Sequence, residues 1–371
     1  MRVATTVVLA LLPFVSLPSL CWPRATASTP HAVQRTVYLM GTRATLVLFT
    51  TARATGLRQL EAMVRSLERT EAELSTWRTD SVLSTLNRQP VGEPLELPAA
   101  VCALWGELTA WHRATDGAFD PAVGALSKAW GLRAAGRHPS PGQLAAARAV
   151  TGLTHFQFEA SACRVTRLVD VTLDAGAFGK GEALRRLLRQ PAGGGSWMVD
   201  LGGQVVVSGA PPAGGWPIAI AHPARRAETA VAITLESGSL ATSGASERSY
   251  ETAGGMVAHI LDPRTGRPLH RPGSVTVWHE DALTADILST ALYVLGPEAG
   301  RRYADEHGFA ALFLAPARGD RESVVLRASR AFRQRFPAVA RVADDPPARR
   351  AVSPCEMFTP HDWTTFGPAQ D

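Results

Sequence analysis

Lysine is almost absent from this 371-residue chain: Lys128 and Lys180 are the only two, and arginine carries the rest of the positive charge. An excess of one charge is lacking as well. Lys and Arg total 38 against 33 Asp and Glu, a formal net charge of +5. So mild and dispersed an imbalance excludes the basic footprint of a nucleic-acid-binding protein. Cysteine is sparse, and Cys21, Cys102, Cys163 and Cys355 form no C-x-x-C pair. That excludes a zinc ribbon and a thioredoxin-type motif. Beyond Cys21, one disulfide with one free thiol and three reduced thiols both stay open, because a domain of this size can dispense with disulfides. After the first 20 residues no apolar run is long enough to span a bilayer. Neither a Gly-X-Y period nor a heptad array is present, and 46% hydrophobic residues exclude a disordered chain. The length suffices for one large domain or two small ones.

Residues 3–20 are nearly all apolar, follow Arg2, and lead to Ala25-Thr26-Ala27. A basic start, an apolar run and an A-x-A site read as a secretory signal peptide over 1–27. Pro13 and Pro18 interrupt the run, which favours cleavage over a membrane anchor. A lipoprotein acylated at Cys21 is the third option, although Leu20 stands where such sites need a small residue. The expectation is an exported, periplasmic protein, with an inner-membrane anchor as the alternative. Residues 28–342 read as the folded domain. The run Asp344-Asp345-Pro346-Pro347 leads into an irregular tail, placed at 343–371.

The patterning predicts a strand or bent hairpin over Thr36–Phe49 and a long amphipathic helix through Leu57, Leu60, Met63, Val64, Leu67 and Leu74. Ala99–Ala114 reads as a second helix and Thr115–Gly124 as a structured loop. Phe156–Phe158, Cys163–Thr166 and Val169–Leu173 read as consecutive strands. Ala175–Gly181 is a glycine-rich turn opening a helix to Leu188. Trp197–Leu201 and Gln204–Ser208 form a hairpin around Gly202-Gly203. Further strands fall at Ile218–Ala221, Ala230–Leu235 and Ser274–Trp278. Thr284–Leu295 is a buried helix, apolar on nearly every side. A helix at Glu298–His307 and a closing strand at Phe309–Leu314 follow. The mixture is α+β with many hairpins rather than a doubly wound array.

Four segments could carry chemistry. The loop Asp174-Ala175-Gly176-Ala177-Phe178-Gly179-Lys180-Gly181 sits between a strand and a helix, where free N–H groups and a lysine suit a phosphate. The bland alternative is an ordinary turn with a solvated lysine. Asp286 and Thr290 lie at i and i+4, so one helical face carries two hard oxygen ligands suited to Mg²⁺. Here the alternative is a solvated acid and a threonine bonded to its own helix. His259 precedes the turn Asp262-Pro263-Arg264-Thr265-Gly266 and could serve as a general base near neutral pH. It could equally be core-packed, with Asp262 and Arg264 paired structurally. Trp77, in Leu74-Ser75-Thr76-Trp77-Arg78-Thr79-Asp80-Ser81, could stack on a planar ring or simply pack inward.

Taken together and in order, these segments resemble the ApbE family of FAD:protein FMN transferases over roughly residues 36–315. The resemblance is carried by Met40-Gly41-Thr42, L-S-T-W-R-T-D-S at 74–81, D-G-A-F-D-P-A-V-G at 116–124, D-A-G-A-F-G-K-G at 174–181, D-L-G-G at 200–203, A-T-S-G at 241–244, H-I-L-D-P-R-T-G at 259–266 and T-A-D-I-L-S-T-A-L at 284–292. Any one is weak; eight in family order are distinctive.

The resemblance implies an ApbE-like α+β fold, with mixed or antiparallel sheets flanked by helices and two halves around a FAD cleft. It implies Mg²⁺-dependent transfer of FMN from FAD to a Thr or Ser hydroxyl of a separate acceptor protein, a membrane or periplasmic redox protein, with release of AMP. By position, Met40, Trp77, Ala118, Phe119, Asp120, Asp174, Lys180 and Ile260 would contact FAD. Asp286, Thr290, the carbonyl of Ala177 and, beside them, Ser289 would hold Mg²⁺. His259 would deprotonate the acceptor hydroxyl, with Asp262 orienting it. The chain departs from the family pattern at Ala245-Ser246, commonly Asp-Tyr, at Gln204, commonly Asp, and at Ala175, commonly Leu, within the loop. The departures at Ala245-Ser246 and Gln204 permit one rival reading, a FAD-binding protein with weak or no catalysis; a second rival is a FAD pyrophosphatase, in which water replaces the acceptor hydroxyl and FMN and AMP result.

Overall fold

The computed structural model describes residues 29–190, 195–245, 249–317 and 320–339. The expected signal peptide, Cys21, Ser246 and the tail lie outside the described residues. The chain opens with the antiparallel hairpin β1 (His31–Leu39) and β2 (Thr42–Thr50), closed by Met40 and Gly41, both at positive φ (52° and 70°). A two-residue loop of that handedness matches the twist of the flanking strands. Helices α1 (Arg53–Leu74) and α2 (Val82–Arg88) follow, then β3 (Pro94–Glu96), α3 (Ala99–Ala114), α4 (Gly124–Ala129) and α5 (Pro141–Ala149). Strand β5 (Arg164–Arg167) pairs with both β3 and β4 (Phe156–Glu159) in a small sheet of order β3-β5-β4.

Helix α6 (Gly179–Leu188) leads into the hairpin β6 (Trp197–Leu201) and β7 (Gln204–Ser208) and the ribbon β8 (Trp216–Ala221) and β9 (Thr229–Leu235). Next come β10 (Gly238–Gly244), the ribbon β11 (Ser249–Thr252) and β12 (Gly255–Ala258), and the short pair β13 (Leu261–Asp262) and β14 (Arg267–Pro268). Strand β15 (Ser274–His279), helices α7 (Ala282–Leu295) and α8 (Pro297–His307), strands β16 (Ala310–Ala317) and β17 (Asp320–Ala328) and helix α9 (Arg330–Arg335) complete the fold.

The main sheet has eight strands in the order β1-β2-β6-β7-β10-β15-β16-β17, with every neighbouring pair antiparallel. Both its faces are covered, which explains the apolar runs of its central strands. Val206 turns to one side, into a core with Leu60, Leu67, Leu184 and Val199, while Val205 and Val207 turn to the other, among Ile218, Ile233, Leu312 and Phe332. Successive side chains of a strand point to opposite faces, so each must be apolar. The small sheet and α2–α3 enclose a further core of Leu86, Leu104, Trp105, Phe119, Phe156 and Phe178, which also takes Leu283 and Ile287 of α7. Helix α7 thus serves as a shared wall between the two lobes, and its nearly all-apolar surface follows from that position. Among the described residues no helix is long and apolar enough to cross a membrane.

A disulfide joins Cys102 of α3 to Cys163, just before β5. Two expectations are corrected. Val169–Leu173 is not a strand, because its backbone bonds sideways: Thr172 accepts from Gly124 N–H (2.9 Å), Leu173 pairs with the Asn87 amide in both directions (2.7 and 3.0 Å), and Arg167 Nε donates to Val171 O (2.8 Å). Nor does Phe309–Leu314 close the fold: β17 returns alongside β16 and forms the sheet edge.

Candidate active site

A cleft of about 860 Å³ opens where the helices of the large sheet meet the smaller lobe. The β1–β2 turn, the segment after α1, the loop before α4, the 174–180 loop, β10, the start of the 259–263 turn and α7 all reach it. Of the expected site residues, Met40, Trp77, Ala118, Phe119, Asp120, Asp174, Ala177, Lys180, His259, Ile260, Asp286 and Thr290 line it.

The floor is made by α7 and α6. Asp281 caps α7, accepting from Thr284 N–H at 2.8 Å. Asp286 is buried one turn further on, and its Oδ2 accepts from Gly181 N–H at 2.8 Å. Burial pushes the Asp286 carboxyl above its ordinary pKa; the charge of Lys180 and the Gly181 hydrogen bond pull the other way. Thr290 shares this face, as the i, i+4 spacing requires. Ser289 does not. It is buried, donates back to Asp286 O (2.9 Å) and meets Ser243 Oγ at 2.9 Å. Ser243 of β10 also lies 3.3 Å from Thr290 Oγ1, so these hydroxyls brace the helix against the sheet. A bound metal would find Asp286, the Thr290 hydroxyl and the carbonyls of the neighbouring turn. This donor set is hard and oxygen-only, which suits Mg²⁺, an ion that keeps several non-protein ligands. Among the described residues no group of three His, Cys, Asp or Glu side chains gathers around a point.

The walls are the loops of both lobes. Asp174 Oδ1 accepts from Gly176 N–H at 2.9 Å, which curls 175–177 into a single 3₁₀ turn ahead of α6. Asp120 lines the cleft, yet its carboxylate is engaged by the N–H groups of Ala122 (2.8 Å) and Leu153 (3.2 Å) and by His112 Nε2 (3.1 Å). It therefore shapes the 118–123 loop from within. Met40, held at positive φ, donates its N–H to Glu71 Oε1 at 2.9 Å. Trp77 stands at the rim with 68% of its surface exposed.

Asp262 is turned away from the cleft. Its carboxylate is taken by Arg264, which donates from its backbone N–H, Nε and Nη2, each at 3.0 Å. Burial opposes ionisation of Asp262, but the hydrogen bonds and charge of Arg264 outweigh it and hold the pKa below the usual carboxylate range. The pair fixes the 262–266 turn, so of the two expected catalytic residues the cleft receives His259, half-buried, and not Asp262.

Gln204 is buried against the start of α7, donating from Nε2 to Ala282 O at 2.9 Å and to Ser239 Oγ at 3.3 Å. A carboxylate could not make that bond to a carbonyl, so the departure at 204 is a different way of seating α7. Ala245 packs beside α7 and α8. Sequence reasoning missed Tyr38, Glu71, Arg133 and Tyr250, which also line the cleft. None belongs to a motif, and only the tertiary fold brings them there.

A cleft of this size, lined by a buried acid, hydroxyls, a lysine and an exposed aromatic ring, suits a large ligand bearing both anionic groups and a planar ring. The ApbE family model matches residues 40–313. A Haemophilus influenzae protein named FAD:protein FMN transferase is 31% identical over 270 residues, covering 68% of this chain and 76% of that one. Its Vibrio cholerae namesake is 32% identical over 259 residues, covering 67% and 77%. The crystal structure of apo Pseudomonas stutzeri flavinyl transferase ApbE aligns with a TM-score of 0.73 at 30% identity, covering 83% of this chain and 98% of that one. The chain belongs to the ApbE family.

Proposed function

We propose that this chain transfers FMN from FAD to a Thr or Ser hydroxyl of a separate acceptor protein, releasing AMP. The observation that carries this reading is the convergence of Asp286, Thr290, Lys180 and His259 in the same cleft as the aromatic rim. Bound through Asp286, Thr290 and the Ala177 carbonyl, Mg²⁺ would neutralise pyrophosphate charge and polarise the phosphorus under attack. Lys180, on the first turn of α6, supplies a second positive charge for the same phosphates. His259 takes the proton of the acceptor hydroxyl. The hydroxyl oxygen then forms a bond to the FMN-side phosphorus, the P–O bond to the AMP phosphate breaks, and AMP departs with that electron pair. Trp77 offers a surface for a planar ring of the dinucleotide.

We further propose that the chain is exported. The Cys102–Cys163 disulfide supports this, since such bonds persist in oxidising compartments. The acceptor is then a membrane or periplasmic redox protein.

The test is mass spectrometry of an acceptor protein incubated with this chain, FAD and Mg²⁺, with and without EDTA. A covalent FMN adduct on Thr or Ser that disappears with EDTA is the expected result. FAD converted to free FMN and AMP at the same rate without acceptor would replace transfer with hydrolysis. FAD retained without turnover would make the chain a binding protein.

A further inference from the structure

Arg133 follows α4 in a stretch that no motif marks, yet it reaches across the cleft mouth. Its guanidinium lies over the Trp77 ring, 4.9 Å from the centroid. Nη1 donates to Thr76 O at 2.8 Å, and Nη2 donates to Thr76 Oγ1 at 2.6 Å and to Asp174 Oδ2 at 3.1 Å. One side chain therefore grips both the segment after α1 and the 174–181 loop. Its own base is rigid: Trp130 Nε1 donates to Gly266 O (2.8 Å), and Leu132 O accepts from Tyr250 OH (2.6 Å).

We infer that Arg133 is a positioning residue of the ligand cleft, clamping Trp77 from one face so that its opposite face is presented, already oriented, to a planar ring of the bound dinucleotide. The inference rests on the reading that the cleft takes FAD. Trp77 is otherwise a largely exposed side chain on a loop, and fixing such a ring on binding costs conformational entropy. Arg133 removes that cost in advance. A flat guanidinium covers an indole face and bonds in its own plane at the same time, which an ammonium cannot do. A ring entering between Arg133 and Trp77 would have to break three hydrogen bonds, whereas the outer face requires no such loss. Asp174, paired to Arg133, also presents less bare negative charge to an anionic ligand.

The experiment measures FAD affinity by flavin fluorescence for the full chain and for Arg133→Ala, Arg133→Lys, Trp77→Ala and the Arg133→Ala/Trp77→Ala double variant. KM, kcat and thermal melting are followed alongside. Arg133→Ala is expected to raise Kd about tenfold, with KM following and kcat at saturating FAD within about twofold. Arg133→Lys recovers little of the loss, and the double variant is no weaker than Trp77→Ala alone. Independent, additive losses in the double variant would overturn the clamp, as would wild-type affinity in Arg133→Ala. Failure of the unaltered chain to bind FAD would instead overturn the flavin reading on which it rests. A melting temperature unchanged in Arg133→Lys separates the clamp from a general loss of fold.

Discussion

Gly181 and Asp286 are in direct register across the α6–α7 contact. The Gly181 N–H bonds the Asp286 carboxylate at 2.8 Å, and a Cβ on Gly181 would stand 2.6 Å from Asp286 Cβ, 2.7 Å from Ala282 O and 2.9 Å from Leu283 Cα. The first turn of α6, which offers Lys180, and the helix that offers Asp286 can meet only because residue 181 has no side chain. Gly181→Ala should force the two helices apart. The helix-propensity gain of up to about 1 kcal/mol is outweighed by overpacking of about 1–3 kcal/mol. A lowered melting temperature together with a raised Mg²⁺ requirement is expected; unchanged values of both would contradict this geometry.

Asp286→Asn keeps an oxygen for the Gly181 N–H but removes the charge. Activity should fall by roughly a hundredfold or more, the scale of losing a transition-state charge stabiliser. The melting curve of the metal-free chain should show the fold intact. Mg²⁺-dependent turnover at the wild-type rate would sink the metal assignment.

His259 and Asp262 should separate cleanly. His259→Ala removes a cleft residue, so kcat should drop by about 10²–10⁴ while stability stays close to that of the wild type. Asp262→Asn breaks the Arg264 pair and should cost about 1–2 kcal/mol of stability at neutral pH. The sign of its pH dependence follows from the lowered folded pKa. The contribution is fully present above the unfolded carboxylate's pKa, near 3.9, and is lost as pH falls through the folded value. The gap between wild type and Asp262→Asn in urea unfolding should therefore narrow below about pH 4. A gap that widened in acid would reverse this assignment.

Reducing the Cys102–Cys163 bond, or replacing both cysteines by serine, should lower stability by roughly 2–5 kcal/mol. The bond spans 61 residues, including all of α4 and α5. Unfolding of the smaller lobe is the measurement, read by hydrogen exchange around α3 and β5. Identical protection with and without reductant would show that the bond bears no load.

Much of the fold was legible because its signals are local. The turn at Gly202-Gly203, the 3.6-residue period of α1 and the apolar surface of α7 each follow from neighbours in the chain. Strand β10 was legible only as the motif A-T-S-G, since its glycines, serines and threonine hide a strand that occupies the middle of the sheet. Val169–Leu173 misled for the opposite reason: its composition favours a strand, but Asn87 and Arg167 claim its backbone groups.

Sequence alone determined which residues could do chemistry here, and in what order along the chain. The i, i+4 spacing of Asp286 and Thr290 places both on one helical face whatever surrounds the helix. What only the tertiary structure decided was where the remaining polar groups are spent. Asp262 and Ser289 sit close in sequence to residues that line the cleft, yet a guanidinium claims one and a serine of β10 the other. Arg133 and Glu71, outside every motif, reach the cleft instead. A hydrogen-bonding group serves whichever partner folding brings within about 3 Å, and that partner is fixed by contacts between segments far apart in the chain.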